Sequence, residues 1–424
     1  MSDPFRRGFL RTMVLGGAAL GGGLAEVSRA RPAPAPTPGA LRSMTAHVKP
    51  ITADERRARL DKLQSLMRER KITALLVESG SSLDYFTGVK WWRPERTTAA
   101  LLPAQGQTVI VTPYFEEPSI RETLQVGADV RTWKEDESPF DLLAGAAREH
   151  GESGGVLAVE PTTRFFIWDR VGRALNGARE LASGEMLVNA CRMHKSPAEL
   201  ALMQAANQAT LAGIRHVHGR IEAGMSALDI NTLLVDALTR LGVEADPALV
   251  LLNEASAFPH GSTKPQVVRP GSTILIDSTS QLHGLQADMS RTWFFGEPGK
   301  RQRELWNTVK RGQEIALETA RVGVPVGEID RAVRVYYESL GWSRDYRLPG
   351  LSHRTGHGIG MDGHEAPYLV RNDRTPLEPG MCFSDEPGLY VPGEFGVRLE
   401  DCWTMTETGP KTFTPLAKSV EEPV

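Results

Sequence analysis

Apolar residues along the first part of the chain recur either with a helical period or in short continuous runs. Between positions 54 and 70 they are spaced three or four residues apart, which predicts a helix with one buried face. The residues on that face are Leu60, Leu63, Leu66 and Met67. Three short apolar runs bounded by turn residues predict buried strands, at 74–77, 108–111 and 155–159. Because strands alternate with helices, we expect an α/β domain here.

A second domain is predicted to begin near position 192. Ser196, Pro197 and Glu199 are typical of a helix start, with a serine cap, a proline in the first turn and a glutamate that completes the capping box. The apolar face of this helix is formed by Leu200, Met203, Leu211, Ile214 and Val217. Predicted strands follow at 272–276, 289–295, 381–383 and 397–402. This order indicates an α+β domain. The sequence shows no internal repeat of 20–50 residues, so we do not expect a solenoid or a propeller.

The N-terminal segment differs from the rest of the chain. Arg6 and Arg7 precede a Gly/Ala-rich run at 12–25, and small residues, Ser28 and Ala30, follow it. Twin arginines before a weakly apolar run resemble a Tat export signal that is cleaved after residue 30. The alternatives are a short membrane anchor and a basic tail. Because spanning a bilayer takes about 20 apolar residues, we expect no stable membrane anchor.

The predicted organisation is therefore a signal peptide at 1–30, a Pro/Ala-rich spacer at 31–51, an N-terminal domain at 52–191 and a second domain at 192–424. With a functional signal the protein is periplasmic or secreted, and without one it is cytoplasmic. Structure is expected to begin near Thr52.

Composition narrows the range of functions. The chain has 424 residues, of which 41% are hydrophobic and 24% charged, the balance of an ordinary globular protein. A formal net charge of −3 gives no electrostatic basis for binding nucleic acid. The three cysteines, Cys191, Cys382 and Cys402, fit no disulfide framework or zinc module, so we expect them to be buried and free.

The strongest chemical signal is a set of acids and one histidine near predicted strands. Asp277 directly follows an apolar run, and Asp288 lies 11 residues later, so a hairpin would bring their carboxylates together. His357 stands among glycines, where the backbone can approach a ligand closely. Glu386 and Glu400 each end a β-like run. Any one of these residues is more often a surface charge or a helix cap, but the whole set in this order is hard to attribute to chance.

Four carboxylates that converge without cations would repel one another and lose solvation. Bound cations remove this objection. One imidazole and four carboxylates form a hard, oxygen-rich site that suits Mn²⁺ or Co²⁺ better than a thiolate-seeking metal. Two such ions can share a water, lower its pKa and polarise a carbonyl.

These motifs resemble those of the pita-bread metallopeptidases, and most of all the branch of prolidase and aminopeptidase P. The resemblance rests on Asp277-x10-Asp288-x2-Arg291-Thr292, Gly356-His357-Gly358-x-Gly360-x3-His364-Glu365-x-Pro367, Glu386-Pro387-Gly388-x-Tyr390 and Arg398-x-Glu400-Asp401. Looser similarity extends over about 54–410. The resemblance implies a creatinase-like α/β N-terminal domain followed by an α+β pita-bread catalytic domain.

The resemblance also implies a role for each motif residue. The ligands of two metal ions would be Asp277, Asp288, His357, Glu386 and Glu400, with Asp288 and Glu400 bridging the ions. The preferred metal is Mn²⁺, with Co²⁺, Zn²⁺ and Fe²⁺ as alternatives. His260 would contact substrate or move a proton, His364 would steady the scissile carbonyl, and His353 would border the proline pocket. Arg398 would orient the metal-bound carboxylates.

The implied reaction is hydrolysis of the bond before proline, either in Xaa-Pro dipeptides or at the N-terminus of longer Xaa-Pro peptides. Glu386 would accept a proton from the attacking water, and Glu386 or His260 would return it to the leaving nitrogen. One departure stands out: Leu285 occupies the position of a hairpin tyrosine that the family usually has. This puts the tuning of the site and the preferred substrate length in doubt.

Two other functions stay open from the sequence. One is a metal-dependent lyase or non-peptide hydrolase, which would keep the metal ligands on the same fold. The other is a non-catalytic binding module, which we would expect to have lost the metal ligands that this chain keeps. A homodimer is expected by the resemblance. In a dimer, Trp91, Trp92 and Arg93 would lie at a partner's cleft, where the arginine would bind a dipeptide carboxylate; otherwise the two tryptophans pack locally.

Overall fold

A computed structural model describes residues 41–150, 154–343 and 345–424. The predicted export signal and positions 31–40 of the predicted spacer lie outside these residues. Contacts with the folded protein begin before Thr52: the Thr45 hydroxyl donates a hydrogen bond of 2.7 Å to the carbonyl of Gly242. In the described part of the chain, no helix is both long and apolar enough to cross a membrane.

The first half of the chain forms a six-stranded sheet covered by helices. Its helices are α1 (Ala53–Glu69), α2 (Ser81–Thr87), α3 (Glu117–Thr123), α4 (Pro139–Glu149), α5 (Phe165–Leu175) and α6 (Glu185–Arg192). Its strands are β1 (Ile72–Glu78), β2 (Ala99–Pro103), β3 (Thr108–Pro113), β4 (Ala128–Trp133), β5 (Val156–Val159) and β6 (Glu180–Ser183). The strand order is β4-β3-β2-β1-β5-β6, in which only β2 runs antiparallel to its neighbours. The predicted α/β domain is confirmed.

Local sequence accounts for the start of α1. The Thr52 side chain accepts a hydrogen bond from the Glu55 backbone, and the Glu55 side chain accepts one from the Thr52 backbone. This capping box satisfies two backbone donors that the first turn leaves free. The predicted apolar face is confirmed, because Leu63 and Met67 are fully buried and Leu60 and Leu66 pack against the same core.

The second half combines four helices with several smaller sheets. Its helices are α7 (Pro197–His218), α8 (Ala227–Leu241), α9 (Lys300–Thr319) and α10 (Val326–Ser339). Its strands are β7 (Glu244–Ala245), β8 (Leu249–Leu252), β9 (Thr273–Leu282), β10 (Leu285–Phe294), β11 (Gly356–Gly358), β12 (Glu365–Leu369), β13 (Cys382–Asp385), β14 (Gly388–Tyr390), β15 (Gly396–Arg398), β16 (Asp401–Thr406) and β17 (Gly409–Thr412). Strands β9 and β10 form a long hairpin, whereas β12-β11-β13-β16-β17 form a five-stranded sheet. The predicted capping box of α7 is present at Ser196 and Glu199.

The predicted strand at 397–402 is wrong in one respect, because two strands occupy this segment. Strand β15 pairs with β14, and β16 pairs with β13 in a different sheet. Between them the backbone N–H of Glu400 donates to the carbonyl of Ser290 on β10, at 3.0 Å. The chain therefore passes from one sheet to the other at Glu400, where this long-range hydrogen bond holds the backbone.

Buried charges join the two halves. Arg59 on α1 donates to Glu199 on α7 at 2.9 Å, and both side chains are less than 10% exposed. The guanidinium also lies over the ring of Tyr85, 4.0 Å from its centroid. The Tyr85 hydroxyl in turn donates to the carbonyl of Cys191 at the end of α6. All three cysteines are buried and free, as we expect from the sequence.

Replacing Arg59 with methionine is therefore expected to destabilise the protein by about 3 kcal/mol, because it leaves Glu199 buried without its partner. Arg57→Met is the matched control on the same helix: its pair with Asp54 is exposed, so the loss should stay below about 1 kcal/mol. Urea denaturation of both variants gives the comparison. Equal losses of unfolding free energy in the two variants would show that the buried ion pair stabilises the protein no more than the exposed one.

Candidate metal centre

The hairpin β9–β10 brings the two aspartates together. Asp277 lies opposite Ser290 in the register, and Asp288 lies opposite Thr279. Because side chains alternate along a strand, Asp277, Thr279 and Asp288 share one face of the hairpin. The other face packs against α7, which holds the hairpin in place.

The two glutamates arrive from neighbouring chain segments. Glu386 directly follows β13, and its backbone N–H donates to the carbonyl of Thr355 at 2.8 Å. Glu400 lies between β15 and β16, where its carboxylate accepts a bond of 2.8 Å from the Ser290 hydroxyl. Asp288 and Glu400 are buried, whereas Asp277 and Glu386 are partly exposed. The centre therefore lies at the bottom of an opening to solvent.

His357 completes the set from β11. Its Nε2 atom lies 3.5 Å from Glu386, 3.9 Å from Asp288 and 4.0 Å from Glu400. Its Nδ1 atom lies 3.1 Å from the carbonyl of Gly358, which leaves Nδ1 as the donor and Nε2 with a free lone pair. Glycine is required on both sides, because a Cβ at Gly356 or at Gly358 would collide with backbone oxygens of neighbouring strands.

The ligand atoms form overlapping groups in which all atoms lie within 4.8 Å of one another. One group is Asp277, Asp288 and Glu400, and another is His357, Glu386 and Glu400. Glu400 is common to both, and Asp288 also groups with His357 and His364. Two neighbouring cations that share carboxylates would fit this arrangement.

The electrostatics of the site favour cations. Burial, together with the charges of Asp277 and Glu386, raises the pKa of Asp288 well above its usual value. Burial and the charge of Asp277 raise the pKa of Glu386 to about 8. Burial and the charges of Asp288 and Glu386 likewise raise the pKa of Glu400. Each of these carboxylates would lose its proton more readily beside a cation, so the donor set fits divalent metal.

Burial and the nearby His364 lower the pKa of His357 to about 3. The imidazole is therefore neutral at physiological pH, which is the form that binds metal. The rings of His357 and His364 stack with their centroids 3.7 Å apart. His364 is exposed, so it borders the opening of the site.

Arg398 anchors a polar chain beside the centre. Its Nη2 atom donates to Asp277 at 2.5 Å, its Nε atom to Ser290 at 2.9 Å, and its Nη1 atom to the Tyr390 hydroxyl at 3.1 Å. Tyr390 in turn lies 2.7 Å from Nε2 of His353. His353 Nδ1 donates to the carbonyl of Arg354, and burial lowers the His353 pKa to about 3. His353 is therefore a neutral acceptor for the Tyr390 hydroxyl.

His260 is the remaining predicted residue. It is exposed, and it follows Pro259, whose carbonyl accepts a bond of 3.3 Å from Arg398. The charge of His260 contributes to lowering the pKa of His353 and His364, which places it near both rings. The structure therefore brings all nine predicted site residues to one region of the second domain.

Three further residues contribute that our sequence analysis gives no role. They are Ser290, Tyr390 and Arg354. Tyr390 follows Glu386 by four residues in a motif that could have drawn attention to it. The contribution of Ser290 becomes visible only from the strand register of the hairpin, which places it opposite Asp277. That of Arg354 becomes visible only from the hydrogen bond between its carbonyl and His353.

Leu285 does not adjoin the ligands. It is fully buried in the main hydrophobic core, together with Ala287 and Met289. Because Leu285 and Asp288 are three residues apart on one strand, their side chains point to opposite faces. The expectation that Leu285 alters the tuning of the metal site is therefore not supported by its position.

The segment Trp91-Trp92-Arg93, which we expect at a partner's cleft in a dimer, makes contacts within this chain. The rings of Trp91 and Trp92 stack with centroids 4.4 Å apart. Arg93 donates to the carbonyl of Ser79 at 2.9 Å and to the Thr162 hydroxyl at 2.6 Å. Arg93 is therefore engaged in local contacts of the first domain.

Comparison with known proteins places these features in context. The chain matches metallopeptidase family M24 over 201–407 and the creatinase/prolidase N-terminal domain over 59–194. It is 31% identical to an uncharacterized peptidase of Schizosaccharomyces pombe, covering 88% of this chain and 84% of the relative. It is 28% identical to an Xaa-Pro dipeptidase of Lactobacillus helveticus, covering 85% of this chain and 98% of the relative.

Solved structures show the same similarity. Dipeptidase PepE from Mycobacterium ulcerans has a TM-score of 0.78 and 26% identity, over 87% of this chain and 97% of the other. An X-Pro aminopeptidase from Thermotoga maritima has a TM-score of 0.75 and 25% identity, over 85% and 98%.

The raised carboxylate pKa values predict how stability depends on pH. Without metal, folded Glu386 keeps its proton up to about pH 8, whereas an unfolded glutamate loses it near pH 4.3. At Glu386 the folded state therefore binds more protons between these values, so the contribution of this residue to stability falls as pH rises. We expect Tm in chelator to fall between pH 5.5 and 8, and Mn²⁺ to raise Tm more at pH 8.

In chelator, the Tm of the Glu386→Gln variant should fall less between the two pH values than the Tm of the wild type. Glu407→Gln, at an exposed position, is the control and should behave like the wild type. Scanning calorimetry at the two pH values measures both effects. A Tm in chelator that rises over this range, or a Mn²⁺ effect that is equal at both pH values, would contradict the assignment.

Proposed function

The chain belongs to metallopeptidase family M24, and we propose that it hydrolyses the peptide bond before proline with the help of two divalent cations. The similarities confirm the predicted fold, a creatinase-like domain followed by a pita-bread domain. Members of the family are metallopeptidases, and the relatives include proteins named dipeptidase and Xaa-Pro dipeptidase. These names support peptide as the substrate.

The observation that carries the proposal is the pair of overlapping ligand groups that share Glu400. Asp277 would hold one cation, His357 and Glu386 would hold the other, and Asp288 and Glu400 would contact both. Hard oxygen donors favour Mn²⁺ over metals that prefer thiolate. When bound, cations of this kind would lower the pKa of a water molecule and polarise a substrate carbonyl.

Glu386 is placed to handle protons during the reaction. Its carboxylate lies 3.5 Å from His357 and remains partly open to solvent, so a water can reach it. We propose that Glu386 takes the proton of the attacking water and passes it to the leaving nitrogen, alone or through His260. Because its pKa is sensitive to nearby charge, the carboxylate can both accept and return a proton near neutral pH.

The histidines at the opening position the substrate. His364 stacks on His357 and would donate to the scissile carbonyl oxygen as negative charge develops there. Arg398 holds Asp277 in place and, through Tyr390, fixes the tautomer of His353. Arg398 is thus a positioning residue, since its donors are directed at protein atoms.

A neutral His353 suits a pocket for proline. The bond before proline is an imide without an N–H group, so a site for this bond needs no acceptor for such a hydrogen. With its Nδ1 and Nε2 atoms engaged by Arg354 and Tyr390, His353 can offer its ring face to an apolar pyrrolidine. This arrangement supports the preference for Xaa-Pro.

The alternative of a lyase or non-peptide hydrolase gains no support from the structure. Its sequence basis was Leu285 in the hairpin, and this residue lies in the core. The complete ligand set likewise argues against a non-catalytic binding module. Export through the twin arginines and formation of a homodimer are kept as parts of the proposal.

Glu386→Gln is expected to lower turnover of Leu-Pro by about 10²- to 10⁴-fold, because the amide cannot accept the proton. Glu407→Gln, at an exposed position, should keep normal turnover. Proline release by the Mn²⁺-loaded proteins measures both rates. Near-normal activity of Glu386→Gln would remove this residue from its role, and activity that survives full metal removal would contradict the proposed reaction.

Replacement of Arg6 and Arg7 by lysine is expected to retain the protein in the cytoplasm, because the twin-arginine pair is the feature that the export pathway reads. Cell fractionation and immunoblotting in a bacterial host compare the variant with the wild type. The same fractionation pattern for both proteins would show that these arginines do not direct export.

A further inference from the structure

A cavity of about 150 Å³ lies beside the metal centre, between the first domain and the loop that carries His364. His364 lines the cavity, and the same ring stacks on the metal-binding His357. One water needs only about 10–15 Å³, whereas an apolar cavity of about 150 Å³ can hold a benzene molecule. The cavity can therefore accept a group of about six heavy atoms at the edge of the reaction centre.

The walls of this cavity combine apolar and polar groups. Aliphatic surface comes from Pro161, Val188, Met193 and Ala366, and a carboxylate comes from Glu160. A lysine or arginine side chain is divided in the same way, because its methylene stem is apolar and its tip is charged. The cavity therefore matches a long basic side chain in chemical character.

Glu160 is held in this wall by the first domain. It directly follows β5, and its backbone N–H donates to the carbonyl of Leu76 on β1 at 2.9 Å. The residue is only 4% exposed, and its carboxylate forms no ion pair with any residue that the structure describes. Burial raises the pKa of Glu160 by more than a hydrogen bond from Ser82 and the charges of Arg192 and Arg93 lower it. The carboxylate therefore lacks a cation in direct contact.

The two cations that act on Glu160 are bound to other groups. Arg192 pairs with Asp362 at 2.7 Å and with Glu365 at 2.6 Å. Arg93 donates its hydrogen bonds to neutral oxygen atoms of the first domain. A positive group that enters the cavity would therefore meet a buried carboxylate that can still accept hydrogen bonds.

We infer that this cavity binds the side chain of the residue before proline, and that Glu160 selects lysine or arginine at this position. The inference rests on the proposed peptidase function, in which His364 donates to the scissile carbonyl. That carbonyl belongs to the residue before proline, so the side chain of this residue starts close to the cavity that His364 lines. His353, which borders the proline side, is not part of the cavity wall.

The charge of the side chain decides how well it fits. A basic side chain gains a charge-assisted hydrogen bond to Glu160 in a partly buried place. A neutral side chain fills the apolar part of the cavity but leaves the carboxylate without a partner. An acidic side chain meets a like charge. The expected order of preference is therefore basic, then neutral, then acidic.

The test compares Lys-Pro with norleucyl-proline, in which hydrogen replaces the side-chain ammonium group. For the wild type, kcat/KM should be roughly 10- to 100-fold higher on Lys-Pro, the value of a charge-assisted hydrogen bond, mainly through KM. Glu160→Gln should remove this preference and leave the activity on norleucyl-proline nearly unchanged. Glu160→Asp should keep part of the preference, because it retains the charge on a shorter stem.

Glu180→Gln serves as the control and should keep the full preference, since Glu180 is exposed on β6 of the same domain. Manganese content per chain should be equal in all variants. A wild type that cleaves both peptides equally well would overturn the inference. An equal loss on both peptides in Glu160→Gln would assign the residue to folding and would overturn it too, as would a preference that persists in that variant.

Lys-Leu and norleucyl-leucine separate this inference from the proposed function. Cleavage of these two peptides but not of the proline peptides, with the same dependence on Glu160, would disprove the proline preference and keep the site for a basic side chain. Cleavage of none of the four would contradict the proposed function. Calorimetric titration of Lys-Pro and norleucyl-proline into the Mn²⁺-loaded protein then decides the inference: tighter binding of Lys-Pro that Glu160→Gln removes would support it, and equal binding would overturn it.

Discussion

Mutual repulsion between four carboxylates is the constraint on which the catalytic half of this protein depends. Asp277, Asp288, Glu386 and Glu400 converge at one site, and burial together with their mutual charge raises the pKa values of the last three. Such a cluster persists if the surrounding fold fixes it and if cations, or protons bound to the carboxylates, offset the charge. The long hairpin, the glycines around His357 and the position of Glu400 between two sheets all serve to bring these groups together.

A second layer of buried acids lies next to the ligands in the sequence. Asp401 follows Glu400 and accepts hydrogen bonds from Arg291 at 2.7 Å, Gln313 at 3.0 Å and Thr414 at 2.9 Å. Because it is held by three donors from different segments, Asp401 fixes the backbone that delivers Glu400. Asp385 precedes Glu386, and burial together with the charge of Asp401 raises its pKa. The position of Glu400 is thus fixed by the contacts of the residue that follows it.

Much of the architecture could be predicted from the sequence, because strong local signals specify it. The capping boxes at Thr52 and Ser196 and the apolar run before Asp277 each give the right element. The break between β15 and β16 could not be predicted, because it depends on a bond from Glu400 to Ser290, more than a hundred residues away. Leu285 was interpreted differently from the sequence, as a residue that tunes the metal site, although its odd spacing from Asp288 on one strand places its side chain on the core face.

The central claim is that the shared carboxylates hold two cations. The most direct measurement is an anomalous difference map from crystals of the Mn²⁺-loaded protein, recorded at the manganese edge. Our account predicts two peaks per chain, one between Asp277, Asp288 and Glu400 and one between His357, Glu386 and Glu400. A single peak, or peaks away from Glu400, would contradict it.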